Sequence, residues 1–292
     1  MRVTLLGTGC PQADPRRFGP ASLVCAGERR FLIDCGSGVT QRLLGAGSSG
    51  AELDAVLLTH LHSDHVIDLY QLIISSWHQG RDRPQRIFGP PGTRAFAQAT
   101  MELWRREREQ RIAWERRPSV AALELDIVEF GEGWVWDGDG VCIAAFEVDH
   151  RPVQPAFGFL FETDGCRTAF SGDTTVCDTL IAWAKDVDLL VHECFIHREM
   201  VARRGGRVDP GLENVAAYHT LSSEVGKVAS RAGARALLLT HFVPVTFDPD
   251  ALHAEVGAAF AGPVIIGEDL LSVDLPSRTV SFDGLRLALG SA

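Results

Sequence analysis

The chain reads as an α/β protein in which two β-sheets pack together, flanked by helices, in a single domain over residues 1–292. Three observations predict this. Short apolar runs alternate with segments of helical periodicity in two βα-rich halves, each beginning with several strands, as a layered sandwich requires. A hydrophobic fraction of 46% beside 23% charged residues supplies a sizeable core. Five of the apolar runs end in a histidine or an acid, so chemistry gathers where strands end.

In order, Val3–Leu6 reads as a buried strand broken by Gly7-Thr8-Gly9, where no G-x-G-x-x-G follows and a tight turn is expected rather than a phosphate cradle. Runs 22–26 and 30–34, separated by Gly27-Glu28-Arg29, suggest a hairpin. Asp34 after the second run either orients a ligand histidine or caps a helix starting near Val39. Residues 66–77 are apolar at helical spacing and predict a core helix, with Trp77 and His78 near a cleft or simply packed. The Gly89–Thr93 loop precedes a helix from about Arg94 to Arg111. Strands follow at 125–130, 141–148, 157–162 and 166–170, then a helix at 178–184 and a strand at 187–192. A helix at 222–232, a strand at 235–240, a helix at 250–260 and a strand at 263–266 come next. Residues 270–289 read as a strand pair turning at Asp283-Gly284.

Composition excludes several classes. A net charge of −10 argues against general affinity for nucleic acid. Residues 81–117 nevertheless hold ten arginines against five acids, which predicts a solvated helix face with pairs such as Glu102–Arg106 and Glu107–Arg111, or else a polyanion contact. Seven dispersed cysteines without a Cys-x-x-Cys form neither a disulfide framework nor a zinc ribbon, and they fit a reducing compartment. With no signal-like N-terminus and no run long enough to span a bilayer, the expectation is a cytoplasmic protein without a membrane partner.

The chemistry centres on Thr59-His60-Leu61-His62-Ser63-Asp64-His65. His60 and His62, two apart in extended backbone, point to one side, whereas the adjacent Asp64 and His65 diverge. One metal rarely collects all four, but two neighbouring metals share them; imidazole suits zinc, iron or manganese, and the carboxylate adds a hard oxygen. Four further apolar runs lead to His150, Asp173, His192-Glu193 and His241. The expected arrangement is His60, His62 and His150 on one metal and Asp64, His65 and His241 on a second, with Asp173 bridging. Such a pair deprotonates a shared water and stabilises charge on attacked and leaving oxygens, the chemistry of ester, phosphodiester, sulfate ester, lactone or amide hydrolysis. His219, at a helix entry, is expected to protonate the leaving oxygen while Glu193 fixes its tautomer; a capping role for His219 is the alternative. The catalytic set is thus Asp64, His219 and Glu193.

These motifs resemble the metallo-β-lactamase superfamily: His-x-His-x-Asp-His at 60–65, followed by His150, Asp173 and His241 in that order, across nearly the whole chain. The resemblance implies a four-layer αββα sandwich of two mixed sheets and a dinuclear site, usually zinc, hence two Zn2+ per chain with Mn2+ or Fe2+ as substitutes. Within the superfamily the chain looks most like the tRNase Z branch, through Gly7-Thr8-Gly9, Asp34-Cys35-Gly36, the Gly-Pro loop at 89–93, Ser171-Gly172-Asp173-Thr174, His192-Glu193 and His219-Thr220. In that branch the glutamate and the second histidine take part in proton transfer. It departs from the branch in lacking the protruding tRNA-gripping arm, since only residues 162–167 separate Phe161 from Thr168, and in carrying Ser37 where a glutamate is common. That departure aligns it with armless arylsulfatase-like and small phosphodiesterase members.

The expected function is therefore a dinuclear metal-dependent hydrolase of a small ester, a phosphodiester or aryl sulfate first. The rivals are a tRNA 3′-processing endonuclease using the basic 81–117 stretch in place of the arm, and a lactone or amide hydrolase. A non-enzymatic binding module is disfavoured because none of the seven ligands is missing. Family analogy suggests a homodimer. Loops 151–156 and 195–217 are expected to set the substrate, with Arg198, Arg203, Arg204 and Arg207 meeting an anion or facing solvent.

Overall fold

The computed structural model of the chain describes residues 1–163, 165–203 and 210–290. From the N-terminus run β1 (Arg2–Gly7), β2 (Ala21–Ala26), β3 (Arg29–Ile33), α1 (Val39–Gly45), β4 (Ala55–Leu57), α2 (Ser63–Val66), α3 (Leu69–His78) and β5 (Gln85–Gly89). Next come α4 (Thr93–Leu103), α5 (Arg105–Glu115), a single 3-10 turn (Ala121–Leu123), β6 (Leu125–Glu129), β7 (Gly133–Gly138), β8 (Val141–Val148), β9 (Ala156–Thr163) and β10 (Cys166–Phe170). The remainder is α6 (Asp178–Trp183), β11 (Leu189–Phe195), α7 (His197–Arg203), α8 (Pro210–Ala216), α9 (Ser222–Ala232), β12 (Leu237–Val243), α10 (Pro249–Gly257), β13 (Val264–Ile266), β14 (Ser272–Asp274), β15 (Thr279–Phe282) and β16 (Leu285–Ala288).

The strands form two mixed sheets. The first runs β16-β15-β14-β1-β2-β3-β4-β5-β6, antiparallel as far as β3 and parallel from β3 to β6. The second runs β13-β12-β11-β10-β9-β8-β7, parallel from β13 to β10 and antiparallel beyond. Strand alternation sorts the apolar side chains into three layers. Leu5, Phe31 and Leu57 of the first sheet meet Phe159, Phe161, Val191 and Leu238 of the second. The outer face of the first sheet buries Leu6, Leu32 and Val56 against Leu43, Leu72 and Trp77 of α1 and α3. The outer face of the second buries Leu190, Leu237 and Phe242 against Val225, Val228 and Leu252 of α9 and α10. Helix, sheet, sheet and helix thus stack as the expected αββα sandwich. No helix among the described residues is long and apolar enough to cross a membrane.

Several local expectations change. The 66–77 helix divides into α2 and α3, and the 94–111 helix breaks at Trp104, whose φ of −103° and ψ of 14° are not helical. Gly7-Thr8-Gly9 is no tight turn: a Cβ on Gly7 would lie 1.9 Å from the Gly19 carbonyl oxygen, so its glycine admits a neighbouring backbone. The strand β7 was not anticipated, nor were α7 and α8 within 195–217; Arg204 and Arg207 lie outside the described residues. The C-terminal pair is β15–β16, with β14 joining it to β1. On α5, no residue of which is buried, Glu107 pairs with Arg111 as expected. Glu102 pairs at 2.8 Å with Arg105 rather than with Arg106.

Candidate metal centre

The site residues come from the segments just past β4, β8 and β10, which carry His60, His150 and Asp173, and from within β11 and β12, which carry Glu193 and His241. Beyond β4, Thr59 and His60 are buried, and the chain stays extended through His62 (φ −63°, ψ 148°), the cap residue of α2. His60 and His62 therefore project together, while the first turn of α2 sends Asp64 and His65 elsewhere. His62 Nδ1 lies 3.0 Å from His60 Nε2 and 3.3 Å from His150 Nε2.

Asp173 arrives from the end of β10 through Gly172, whose φ is +59° and whose Cβ, if present, would sit 2.5 Å from the Phe157 carbonyl oxygen. Only glycine fits that turn. His241 reaches the site by a different device. The β11–β12 register steps from Glu193↔Thr240 to Cys194↔Phe242, so His241 is the extra residue of a bulge, with φ +46°. Such strain in a non-glycine residue persists where surrounding structure enforces it, commonly at functional sites.

Three histidines have Nδ1 bound outside the cluster. His65 Nδ1 donates to Asp34 Oδ2 at 2.8 Å, and His150 Nδ1 donates to the Tyr218 carbonyl at 2.8 Å. The Thr59 hydroxyl gives its proton to Asp34 and so accepts from His60 Nδ1, 3.0 Å away. Each bond fixes the tautomer that turns a bare Nε2 lone pair inward. The choice left open for Asp34 is thereby resolved: it orients a histidine, and α1 has no side-chain cap.

Asp173 Oδ2 lies 3.3 Å from His241 Nε2, 3.4 Å from His65 Nε2, and 4.0 Å from Nε2 of both His60 and His150. Asp64 Oδ2 lies 3.4 Å from His241 Nε2 and 3.7 Å from His65 Nε2. Ligand atoms of His60, His62, His150 and Asp173 fall within 4.8 Å of one another, as do those of Asp64, His65 and His241. The residues fit divalent cations. Nε2 of His65 and both ring nitrogens of His241 are buried without a hydrogen-bond partner, which is costly unless something electropositive meets them.

The electrostatics point the same way. Burial opposes charge on His65 and His241, yet Asp173, with Asp34 beside His65 and Asp64 beside His241, holds His65 well above the usual imidazole range and His241 at about 9. Burial likewise opposes ionisation of Asp173, but His241, His65 and His60 keep its carboxyl well below the ordinary carboxylate range. Burial and neighbouring His65 push His60 well down. A field that draws protons onto two imidazoles is one that also suits a cation.

Beside this cluster, His219 Nδ1 lies 2.8 Å from Glu193 Oε2 and 4.0 Å from Asp173 Oδ2. Glu193 Oε1 accepts the Thr174 backbone N–H at 2.6 Å, and the Ser171 hydroxyl accepts the Glu193 N–H at 3.1 Å. Burial opposes charge on His219, but Glu193 outweighs it and raises the imidazole. His192 does not join the site. Strand alternation turns it to the face of Leu190 and Cys194, beneath the helices, where its Nδ1 reaches the Glu193 carbonyl at 2.8 Å. The Thr59 hydroxyl and the Tyr218 carbonyl were missed from sequence; a threonine before a ligand histidine was the one available hint.

Residues 29–242 match the family described as Beta-lactamase superfamily domain. A Ribonuclease Z of Mycobacterium bovis (strain BCG / Pasteur 1173P2) is 38% identical over 283 residues, covering 95% of this chain and 99% of the relative. A Ribonuclease Z of Mycolicibacterium paratuberculosis is 41% identical over 284 residues, covering 95% and 100%. Among solved structures, the metallo-beta-lactamase fold protein YhfI of Bacillus subtilis aligns with a TM-score of 0.73 at 23% identity, covering 93% of this chain and 98% of that one. Human tRNase Z, short form, aligns with a TM-score of 0.70 at 23% identity, covering 94% and 100%. The two structures share this fold.

Proposed function

The chain belongs to the beta-lactamase superfamily, as a metal-dependent hydrolase of ester bonds, and from that premise we propose that it cuts RNA phosphodiesters as a tRNA 3′-processing endonuclease. Relatives named Ribonuclease Z at 38% and 41% identity along 95% of the chain favour RNA over the small ester expected from sequence. The observation that carries the metal-centred reading is the position of Asp173 Oδ2, within 4.0 Å of Nε2 of all four of His60, His65, His150 and His241.

In this reading His60, His62 and His150 would hold one divalent ion and Asp64, His65 and His241 another, with Asp173 available to both, zinc being the first choice. When bound, the ions supply Lewis acidity toward a phosphoryl oxygen and a water that ionises near neutral pH. Asp34, Thr59 and the Tyr218 carbonyl keep the imidazole rings aimed. Glu193 holds His219 by Nδ1, so that Nε2 carries the proton for the leaving ribose oxygen. The seven cysteines are all free, consistent with a cytoplasmic setting; a homodimer of single-domain subunits is proposed on family analogy alone.

A small phosphodiester is the second reading, favoured by the β9–β10 hairpin. Thr163 pairs with Cys166, leaving no room for an inserted arm. The deciding experiment offers metal-loaded protein precursor tRNA and bis-(p-nitrophenyl) phosphate, with His60→Ala as control. Salt-sensitive cleavage of the precursor at the 3′ end of the acceptor stem is expected. Turnover of the small diester alone would overturn the RNA reading, and no turnover above the control would overturn both.

A further inference from the structure

A cleft of about 880 Å³ opens between α2, α3, α4 and α5, and none of the proposed metal ligands or proton-transfer groups lines it. Its size suits a ligand of small-molecule dimensions. Its wall includes Leu61 and Ser63, the residues interleaved with His60, His62 and Asp64, so part of the cleft borders the segment that carries those histidines. Tyr70, His78, Trp104 and Arg111 also line it.

Tyr70 and Trp104 stack with ring centroids 4.9 Å apart and planes 14° from parallel. Tyr70 is anchored, its hydroxyl donating to Glu107, which also pairs with Arg111. Trp104 occupies the break between α4 and α5 and remains 44% exposed, an unusual position for an indole already stacked on one face. The charge around it is also distinctive. Half of the ten arginines of the 81–117 stretch are ion-paired, among them Arg86 with Asp126, Arg105 with Glu102 and Glu109, and Arg117 with Glu115. Among the described residues Arg106, two positions from Trp104, has no ion pair or hydrogen bond to its side chain, and its charge faces solvent.

We propose that this cleft is a stacking subsite for an unpaired nucleobase flanking the scissile linkage, with Trp104 as platform and Arg106 attracting the adjoining phosphate. The inference rests on the RNA reading above. Every base presents a π-face to an indole, so the subsite selects an unpaired strand rather than a sequence.

The test uses the metal-loaded full chain and an RNA stem bearing a short 3′ extension with hydrolysis-resistant linkages and 2-aminopurine in place of one extension base. Binding is expected to quench the 2-aminopurine emission. Trp104→Ala is expected to weaken binding about tenfold, within the range of base–aromatic stacking, and to abolish the quench. Trp104→Phe should retain most of both, and a stem lacking the extension should bind wild type and variants alike. Equal affinity and quench in wild type and Trp104→Ala would overturn the subsite while leaving RNA cleavage standing. Conversion of a dimer to a monomer by Trp104→Ala, seen by light scattering, would overturn it in favour of a second copy covering the cleft. A chain that neither binds nor cuts RNA would overturn the subsite and the reading beneath it together.

Discussion

His219 Nδ1 and Glu193 Oε2 lie 2.8 Å apart, and the other oxygen of the same carboxylate is held by the Thr174 N–H at 2.6 Å. Glu193 is thus immobilised at both oxygens, and the imidazole it grips has one free nitrogen with a fixed direction. A group poised in this way serves proton transfer better than substrate binding, because the bond sets orientation and basicity together.

That geometry predicts a dependence on the leaving group. His219→Ala should lower kcat on RNA by about 10²–10⁴-fold, the usual worth of a general acid. Hydrolysis of bis-(p-nitrophenyl) phosphate should fall far less, because nitrophenolate leaves without a proton. Glu193→Gln, which keeps shape but removes charge, should fall between wild type and His219→Ala on RNA. Equal losses on both substrates would rule out the proton-transfer role.

Asp34 predicts a change in metal affinity rather than in chemistry. Its carboxylate accepts from His65 Nδ1 at 2.8 Å and from the Thr59 hydroxyl that in turn accepts from His60 Nδ1, so it stands directly behind one proposed ligand and, through Thr59, behind a second. Asp34→Asn should weaken zinc binding by about 10–100-fold, read by competition with a chromogenic chelator. Unchanged affinity would reduce Asp34 to a structural hydrogen-bond acceptor.

Cation binding should also be legible in stability. His65 and His241 present buried nitrogens with no partner, beside the buried carboxylate of Asp173. Zinc that binds the folded chain alone stabilises it by about 2.7 kcal/mol at a hundredfold excess over Kd. A calorimetric scan should therefore show Tm falling on chelation and rising again with added zinc, and Asp173→Asn should blunt the rise. A Tm indifferent to zinc in the wild type would contradict the ligand set.

Much of this site was readable in the sequence because its ligands end apolar strands. His60, His150, Asp173 and His241 each follow a run of core residues, and strand termini converge in a two-sheet sandwich. What was not readable depends on three-dimensional register or on the backbone. The bulge that turns His241 inward exists only once β11 and β12 are paired. The Tyr218 carbonyl that holds His150 carries no side-chain signature. Asp34 had two sound local explanations, and only the position of His65 separates them. The helix break at Trp104 arises where that ring stacks on Tyr70, a contact between elements far apart in sequence. His192 was grouped with Glu193 as a strand-end pair, but β11 continues to Phe195, and alternation separates the two faces.

His192 itself carries the last prediction. It is fully buried beneath the helices, and burial lowers its imidazole from 6.5 to about 4, with only the Glu193 carbonyl opposing the shift. The folded state therefore keeps His192 neutral where the unfolded chain would bind a proton. A depressed folded value means that its contribution is fully present above pH 6.5 and is lost as pH falls through about 4. The full loss is about 3 kcal/mol, at 1.36 kcal/mol per pH unit. Urea unfolding of the wild type at pH 7 and at pH 4.5 should show the decline. His192→Asn, whose amide can still donate locally but does not titrate, should be less stable at pH 7 yet lose less between the two values. Equal losses in the two proteins would place acid sensitivity elsewhere, in carboxylates such as Asp173 whose protonation also opposes the fold.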